Sequence, residues 1–102
     1  MSLAGARLYA VRIFVRDFER CVHFYRTVLG LKPVCADAGI GWAEFDTGET
    51  HLALERADDD SVAMVGRFVG ASIRVDDIDR VYRELSALNA DFDAPPEAQP
   101  WG

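Results

Sequence analysis

The fold is decided between residues 12 and 34, which read RIFVRDFERCVHFYRTVLGLKPV. Side chains alternate between apolar and mixed over residues 9–15, which predicts a strand with one core face. Asp17 then has the position of a helix N-cap, because its carboxylate can accept from the free amides of the first turn. Gly30 can take the left-handed conformation that ends helices, and Pro33 prevents the helix from resuming. The stretch therefore predicts a strand followed by a helix of about three turns.

Three short strands are predicted after this helix, over residues 31–36, 41–46 and 51–56. Residues 37–39 and 47–49 separate them and are rich in the glycine and polar residues that form turns. Strands joined by such short connections pair with their sequence neighbours in an antiparallel way. The middle of the chain therefore predicts an antiparallel meander.

The second part of the chain repeats the beginning of the first. Residues 69–75 alternate like a strand, Asp77 resembles the earlier cap, and residues 78–90 have helical periodicity. Four identities recur at an offset of 60 (73 minus 13), at core, cap and helix positions: Ile13 with Ile73, Val15 with Val75, Asp17 with Asp77, and Arg20 with Arg80. Only a proline-containing tail, residues 91–102, follows, so the second copy is predicted to be incomplete.

Composition excludes several classes of function. The 102 residues suffice for one domain, and 11 Lys and Arg against 17 Asp and Glu leave a net charge of -6. This charge disfavours nucleic acid and anionic membrane surfaces as partners, and no apolar run is long enough for a membrane span. Cys21 and Cys35 have no CxxC spacing, so we expect both to be packed in the core of a cytoplasmic protein.

The opening stretch resembles the vicinal oxygen chelate superfamily, the group of glyoxalase I, bleomycin resistance proteins and extradiol dioxygenases. The resemblance continues through FDTGETHLALER at residues 45–56 and ASIRVDDIDRVYREL at residues 71–85. It implies an α+β fold in which paired βαβββ modules form a curved, cup-like mixed sheet, with the second module incomplete in this chain. The prediction is one domain over residues 1–102, with module one at about 8–56, a linker at about 57–67 and a partial module two at about 68–102.

Catalytic members of this family hold a divalent metal, and the resemblance implies where its ligands would lie. The implied positions are Ala10, Ala53 and Gly70, none of which has a side chain that can bind a metal. A shifted alignment would offer His51 or Glu55 instead, but two donors on one strand do not make a catalytic site. We therefore predict that no metal or other cofactor is bound, with a divalent metal as the alternative.

The residues opposite the core face of the strands are the candidate ligand-binding residues, because alternation directs them into the concavity that the resemblance implies. They combine aromatic surface with a few charges, which is typical of small-molecule sites. They are Arg12, Phe14, Trp42, Glu44, His51, Glu55, Ser72 and Arg74. A competing interpretation is that the charged members are paired ions on a solvent-facing or dimer-facing sheet, with Trp42 filling an interface.

The sequence thus predicts a small-molecule-binding domain that is metal-free and sequesters a drug or metabolite, with no residue assigned a catalytic role. The alternative is a metal-dependent lyase, isomerase or dioxygenase of the same superfamily. A third interpretation makes the chain chiefly an assembly unit, since an incomplete module exposes a strand edge. A homodimer is expected under each of these interpretations.

Overall fold

A computed structural model describes residues 3–100 of the chain, which divides into two units, Met1–Ala71 and Ser72–Gly102. The first unit contains, in chain order, β1 (Ala10–Val15), α1 (Phe18–His23), a π-helical segment (Phe24–Val28), β2 (Lys32–Asp37), β3 (Trp42–Asp46), β4 (His51–Arg56) and a 3-10 turn (Val62–Met64). The second unit contains α2 (Ile78–Ala87). This arrangement confirms the predicted α+β class. Within residues 3–100, no helix has both the length and the apolar character needed to cross a membrane.

The strands of the first unit form one mixed sheet in the order β1-β4-β3-β2. The pairs β2–β3 and β3–β4 are antiparallel, which confirms the predicted meander. β1 runs parallel to β4, with Ala10 opposite His51 and Ile13 opposite Leu54. The first strand is thereby brought beside residues that follow it by about forty positions in the sequence.

One face of this sheet packs against the helix that follows β1. Phe45 and Leu54 are fully buried there, and Val15 and Phe18 are nearly so. Asp17 is the N-cap of α1, as predicted, and its Oδ1 accepts from the amide of Arg20 at 3.2 Å. Burying these apolar side chains supplies the main favourable free energy of the unit.

The end of the first helix differs from the regular α-helix that the periodicity predicts. Residues Phe24–Val28 are π-helical, and the amide of Leu29 donates to the carbonyl of Phe24, five residues earlier, at 2.9 Å. In this wider segment the Tyr25 ring packs on the Phe45 ring, with centroids 5.9 Å apart. Gly30 follows with a φ of +71°, the left-handed conformation expected for it.

The second unit confirms one prediction and corrects another. α2 begins after Asp77, whose carboxylate caps it by accepting from the amide of Arg80 at 3.0 Å. The strand predicted over residues 69–75 is wrong, because none of these residues is in a strand and Ile73 is 52% exposed. Alternation reports which faces could be buried, but a strand also needs backbone partners, and no described residue pairs with this segment.

Candidate functional site

The strand registers place six of the predicted ligand-binding residues on the sheet face opposite α1. Residues directly opposite each other on paired strands project to the same side. The two rows are Arg12, Ala53 and Glu44, and then Phe14, Glu55 and Trp42, while His51 lies opposite Ala10 and Asp46. We call this surface the polar face and define it by Arg12, Phe14, Trp42, Glu44, His51 and Glu55. Their role in ligand binding stays a prediction.

Glu44 is the centre of the polar face. It is 7% exposed, and its carboxylate has three partners. The Tyr9 hydroxyl donates to Oε2 at 2.8 Å, the Trp42 indole Nε1 donates to Oε1 at 2.9 Å, and His51 Nδ1 lies 2.8 Å from Oε2. A buried carboxylate is costly unless donors satisfy it, so these three side chains make the burial of Glu44 possible.

The same contacts set the ionisation of the cluster. Hydrogen bonds to the charged form of a carboxylate favour that form. The bonds from His51, Trp42 and Tyr9, in that order of effect, hold the pKa of Glu44 below its ordinary value, although burial opposes them. The bond to Glu44 in turn raises the pKa of Tyr9. Glu44 is therefore a carboxylate at neutral pH, and Tyr9 is a protonated phenol.

The Tyr9 and His51 side chains also contact each other directly. Their ring centroids are 5.3 Å apart with the planes tilted by 53°, and the amide of His51 donates to the carbonyl of Tyr9 at 2.8 Å. Backbone, rings and the shared carboxylate of Glu44 thus join the start of β4 to the residue before β1. The cluster is held by several contacts rather than by one.

The other charged residues of the polar face form a looser group. Arg12 Nε lies 3.4 Å from Glu55 Oε1, and the Arg12 guanidinium lies over the Phe14 ring, 5.4 Å from its centroid. The Arg12 side chain is 55% exposed, so this pair stabilises the fold by little. For Arg12 and Glu55 the structure therefore agrees with the paired-ion interpretation.

The residues present do not fit the metal that the family resemblance implies. Ala10 and Ala53 lie on the polar face but offer no donor, and Gly70 likewise has no side chain. Within residues 3–100, no group of three or more His, Cys, Asp and Glu side chains could hold a metal ion. Glu44 and His51 face each other, and each uses a potential donor atom in that contact.

Two of the predicted site residues belong to the second unit. Ser72 and Arg74 lie in the second unit, outside any strand, where they line a groove of about 990 Å³. The groove is bordered by Ile78 and Asp79 of α2 and by the tail at Glu97. Their predicted place on the same face as Glu44 depended on the strand predicted over residues 69–75, which these residues do not form, and their role in ligand binding stays a prediction.

Two further residues depart from the sequence analysis. Alternation places Tyr9 with the core side chains and does not indicate it as a site residue, yet it precedes β1 and its hydroxyl reaches Glu44. No local pattern indicates this contact, which joins residues 35 positions apart. Cys35 is a free, exposed thiol rather than a buried one, since it lies on the edge strand β2 opposite Glu44.

Comparisons with known proteins add a family and several relatives. The sequence model of the Glyoxalase/Bleomycin resistance protein/Dioxygenase superfamily matches residues 7–102. The "Uncharacterized protein YraH" of Bacillus subtilis (strain 168) is 28% identical over 89 residues, which cover 78% of this chain and 70% of that protein.

Solved structures agree with this family. The crystal structure of a superfamily member from Sphaerobacter thermophilus DSM 20745 is similar with a TM-score of 0.79 and 29% identity, over 95% of this chain and 82% of that one. A bleomycin resistance determinant encoded on the transposon Tn5 is similar with a TM-score of 0.61 and 25% identity, over the same shares of the two chains. Both similarities extend over nearly all of the sequence.

Proposed function

Because the chain belongs to the Glyoxalase/Bleomycin resistance protein/Dioxygenase superfamily, we propose that its polar face binds a small organic molecule without a metal ion. In this proposal the protein sequesters a drug or metabolite and does not transform it. It acts as a homodimer in the cytoplasm. The observation that carries the proposal is the Glu44 cluster, a buried carboxylate surrounded by three polar aromatic side chains.

The chemistry of this cluster suits recognition of a small molecule. A sheet does not need a carboxylate on its buried surface to be stable. A carboxylate that is buried there requires its own set of donors. Rings that supply contact area, together with a few fixed polar groups that orient the guest, are the common composition of small-molecule sites. Trp42, Tyr9 and His51 supply such rings around Glu44, and Arg12 and Phe14 extend the surface.

Similarity to the Tn5 bleomycin resistance determinant supports a drug as one kind of guest. The net charge of -6 favours a cationic guest through long-range attraction. Glu44 contributes a fixed negative charge on the polar face at neutral pH. A cationic aromatic molecule is therefore the first class to test.

The metal-dependent alternative has no observation in its favour within residues 3–100. A lyase, isomerase or dioxygenase of this superfamily would require several donor side chains around one ion. The positions implied for them contain Ala10, Ala53 and Gly70. No reaction step can be derived from these residues.

The proposal is tested by titrating metal-free bleomycin and a panel of cationic aromatic amines into the Trp101→Phe protein. Trp42 is then the remaining tryptophan of the two in the chain, and its emission reports on the polar face. We expect saturable quenching, and affinity about tenfold weaker in Glu44→Gln, which corresponds to one charge-assisted hydrogen bond. Glu19→Gln is the matched control, because it removes the same charge from an exposed position of α1.

Two results would contradict the proposal. One is the absence of saturable binding across the panel. The other is stoichiometric metal in protein purified without chelator, accompanied by a rise in thermal stability on addition of Ni, Zn, Fe or Mn. An ion that binds only the folded state must raise that stability, so such a rise would favour the metal-dependent alternative.

A further inference from the structure

Contacts fix the orientation of the His51 ring, but its hydrogen bond involves only one of its two nitrogen atoms. Its Nδ1 faces Glu44 Oε2 at 2.8 Å, and its plane packs at a tilt against the Tyr9 ring. Within residues 3–100, no group donates to or accepts from its other nitrogen, Nε2. The side chain is 21% exposed, so the ring is partly open to a guest.

We propose that Glu44 is a positioning residue that keeps the proton of the neutral His51 ring on Nδ1, which makes Nε2 the acceptor for a ligand hydroxyl or N–H group. This inference rests on the proposed function, since it names the chemical class of guest that the polar face selects. That class is a small aromatic molecule with a hydrogen-bond donor next to the ring.

The argument begins with the carboxylate. An ionised carboxylate has acceptor sites only, so the contact at 2.8 Å requires a proton on His51 Nδ1. The Trp42 indole is a donor and occupies Oε1, which leaves the carboxylate no freedom to turn away. A neutral imidazole has one N–H, and with that proton on Nδ1 its Nε2 has a free lone pair.

The surroundings of the ring leave room for a guest. On the polar face, His51 lies opposite Ala10, and Ala53 is the next residue of β4 on that face. Both are small side chains and neither competes for a hydrogen bond. The neighbour on the other side, Asp46, is exposed, and its Oδ1 accepts from the amide of Gly48 at 2.9 Å. The aromatic groups beside the ring are Tyr9 and, across the carboxylate, Trp42, so a planar guest has ring surface to contact while its donor reaches Nε2.

The tautomer is tested first by long-range ¹⁵N–¹H correlation of the histidine rings in ¹⁵N-labelled protein at alkaline pH, where imidazoles are neutral. The chain has two histidines, and His23→Gln assigns the His51 signals. We expect His51 to be in the Nδ1–H form in the unmodified chain and in Tyr9→Phe, which keeps the ring contact and the Glu44 carboxylate. A predominant Nε2–H form in the unmodified chain would overturn the inference.

The ligand class is tested with phenol and anisole as probes, which have the same ring but differ in the hydroxyl donor. Chemical-shift titration of the Trp42 indole N–H measures the affinity of each. We expect phenol to bind about fivefold more tightly, the gain from one neutral hydrogen bond. The preference for phenol should disappear in His51→Phe, which retains a ring but no nitrogen. It should remain in His23→Phe, because His23 is an exposed residue of α1.

The possible results separate the two proposals. Equal binding of phenol and anisole to the unmodified chain would overturn the inference and leave the polar face as a binding surface. A phenol preference that persists in His51→Phe would assign the acceptor to another group and overturn the inference as well. Failure of both probes to shift polar-face resonances would overturn the proposed function for aromatic guests, and the inference with it.

Discussion

Replacing Glu44 by glutamine removes the charge of the cluster with almost no change in size. A glutamine carbonyl can accept two hydrogen bonds, whereas the Glu44 carboxylate has three partners in Tyr9, Trp42 and His51. If the carbonyl stays near Tyr9 and His51, the new amide group faces the indole N–H of Trp42, and two donors confront each other. The bond to Trp42 is then lost and the bond from His51 becomes a weaker, uncharged one.

The expected cost follows from these contacts. Leaving a donor unsatisfied in a poorly hydrated site costs about 1–3 kcal/mol, and a bond to a charged group exceeds a neutral one by about 1 kcal/mol. Tyr9 is 63% exposed, so water can compensate for the weakening of its bond to the neutral carbonyl. We therefore expect a fall of about 2 kcal/mol in the free energy of unfolding, or about 10 °C in Tm for a domain of this size.

The effect of Glu44→Gln should depend on pH, with a definite sign. The folded-state pKa of Glu44 is lowered, so its stabilising contribution is complete above the unfolded value of about 4.3 and is lost as the pH falls towards the lowered folded value. The difference in the free energy of unfolding between the unmodified chain and the variant should therefore be large near neutral pH. It should narrow on acidification below about pH 4.

The assay is urea unfolding followed by far-UV circular dichroism at neutral and acidic pH. Glu55→Gln is the matched control, because its partner Arg12 is half exposed and the pair contributes less than about 1 kcal/mol. A cost for Glu44→Gln no larger than that of Glu55→Gln would refute the reasoning. The reasoning would also be refuted if the difference in the free energy of unfolding between the unmodified chain and Glu44→Gln stayed constant on acidification. The ionised form of Glu44 would then not be the stabilising one.

Three further changes test the fold that supports the polar face. Leu54→Ala should lower the free energy of unfolding by about 2–5 kcal/mol in urea, because Leu54 is fully buried, and a loss below about 1 kcal/mol would contradict this. Gly41→Ala should lower Tm more than Gly30→Ala. Both glycines have a φ near +70°, but only a Cβ at position 41 would clash, at 2.7 Å from Arg56 Cβ. Equal changes in Tm would therefore show that this clash does not lower the stability. Asp17→Ala should lower the free energy of unfolding in urea by about 1 kcal/mol, because the α1 cap is lost. Asp17→Asn can still cap the helix and should keep most of that stability, so an equal loss in both variants would contradict the role of the cap.

Much of the secondary structure could be predicted from local sequence. Alternation over residues 9–15 and 51–56 predicted strands, and Asp17 and Asp77 were recognised as N-caps from their positions before helical periodicity. The side chains of one strand alternate strictly between two faces, so face membership follows once a strand is assigned. For this reason the six residues of the polar face follow from the sequence as one group.

The incorrect predictions have a common physical reason, which is that the pairing of strands does not depend on local sequence alone. Residues 69–75 alternate as well as residues 9–15 do, yet the latter contain a strand paired with β4 and the former have no described partner. The reason for placing Ser72 and Arg74 beside Glu44 was that strand, and both residues belong to the second unit. Cys35 is exposed because β2 is an edge strand, which depends on strand order rather than on the residues around it.

The sequence by itself therefore determined the four strands of the sheet, the caps of both helices and the two faces of each strand, because these follow from backbone geometry and the spacing of apolar residues over a few positions. The tertiary structure alone decided that the Tyr9 hydroxyl, the Trp42 indole and His51 Nδ1 converge on Glu44. That convergence requires β1 to lie parallel to β4 and β3 to pair with both β2 and β4, in registers fixed by contacts between distant residues. A buried carboxylate with its donors is a product of those registers, and the alternation of single strands does not contain it.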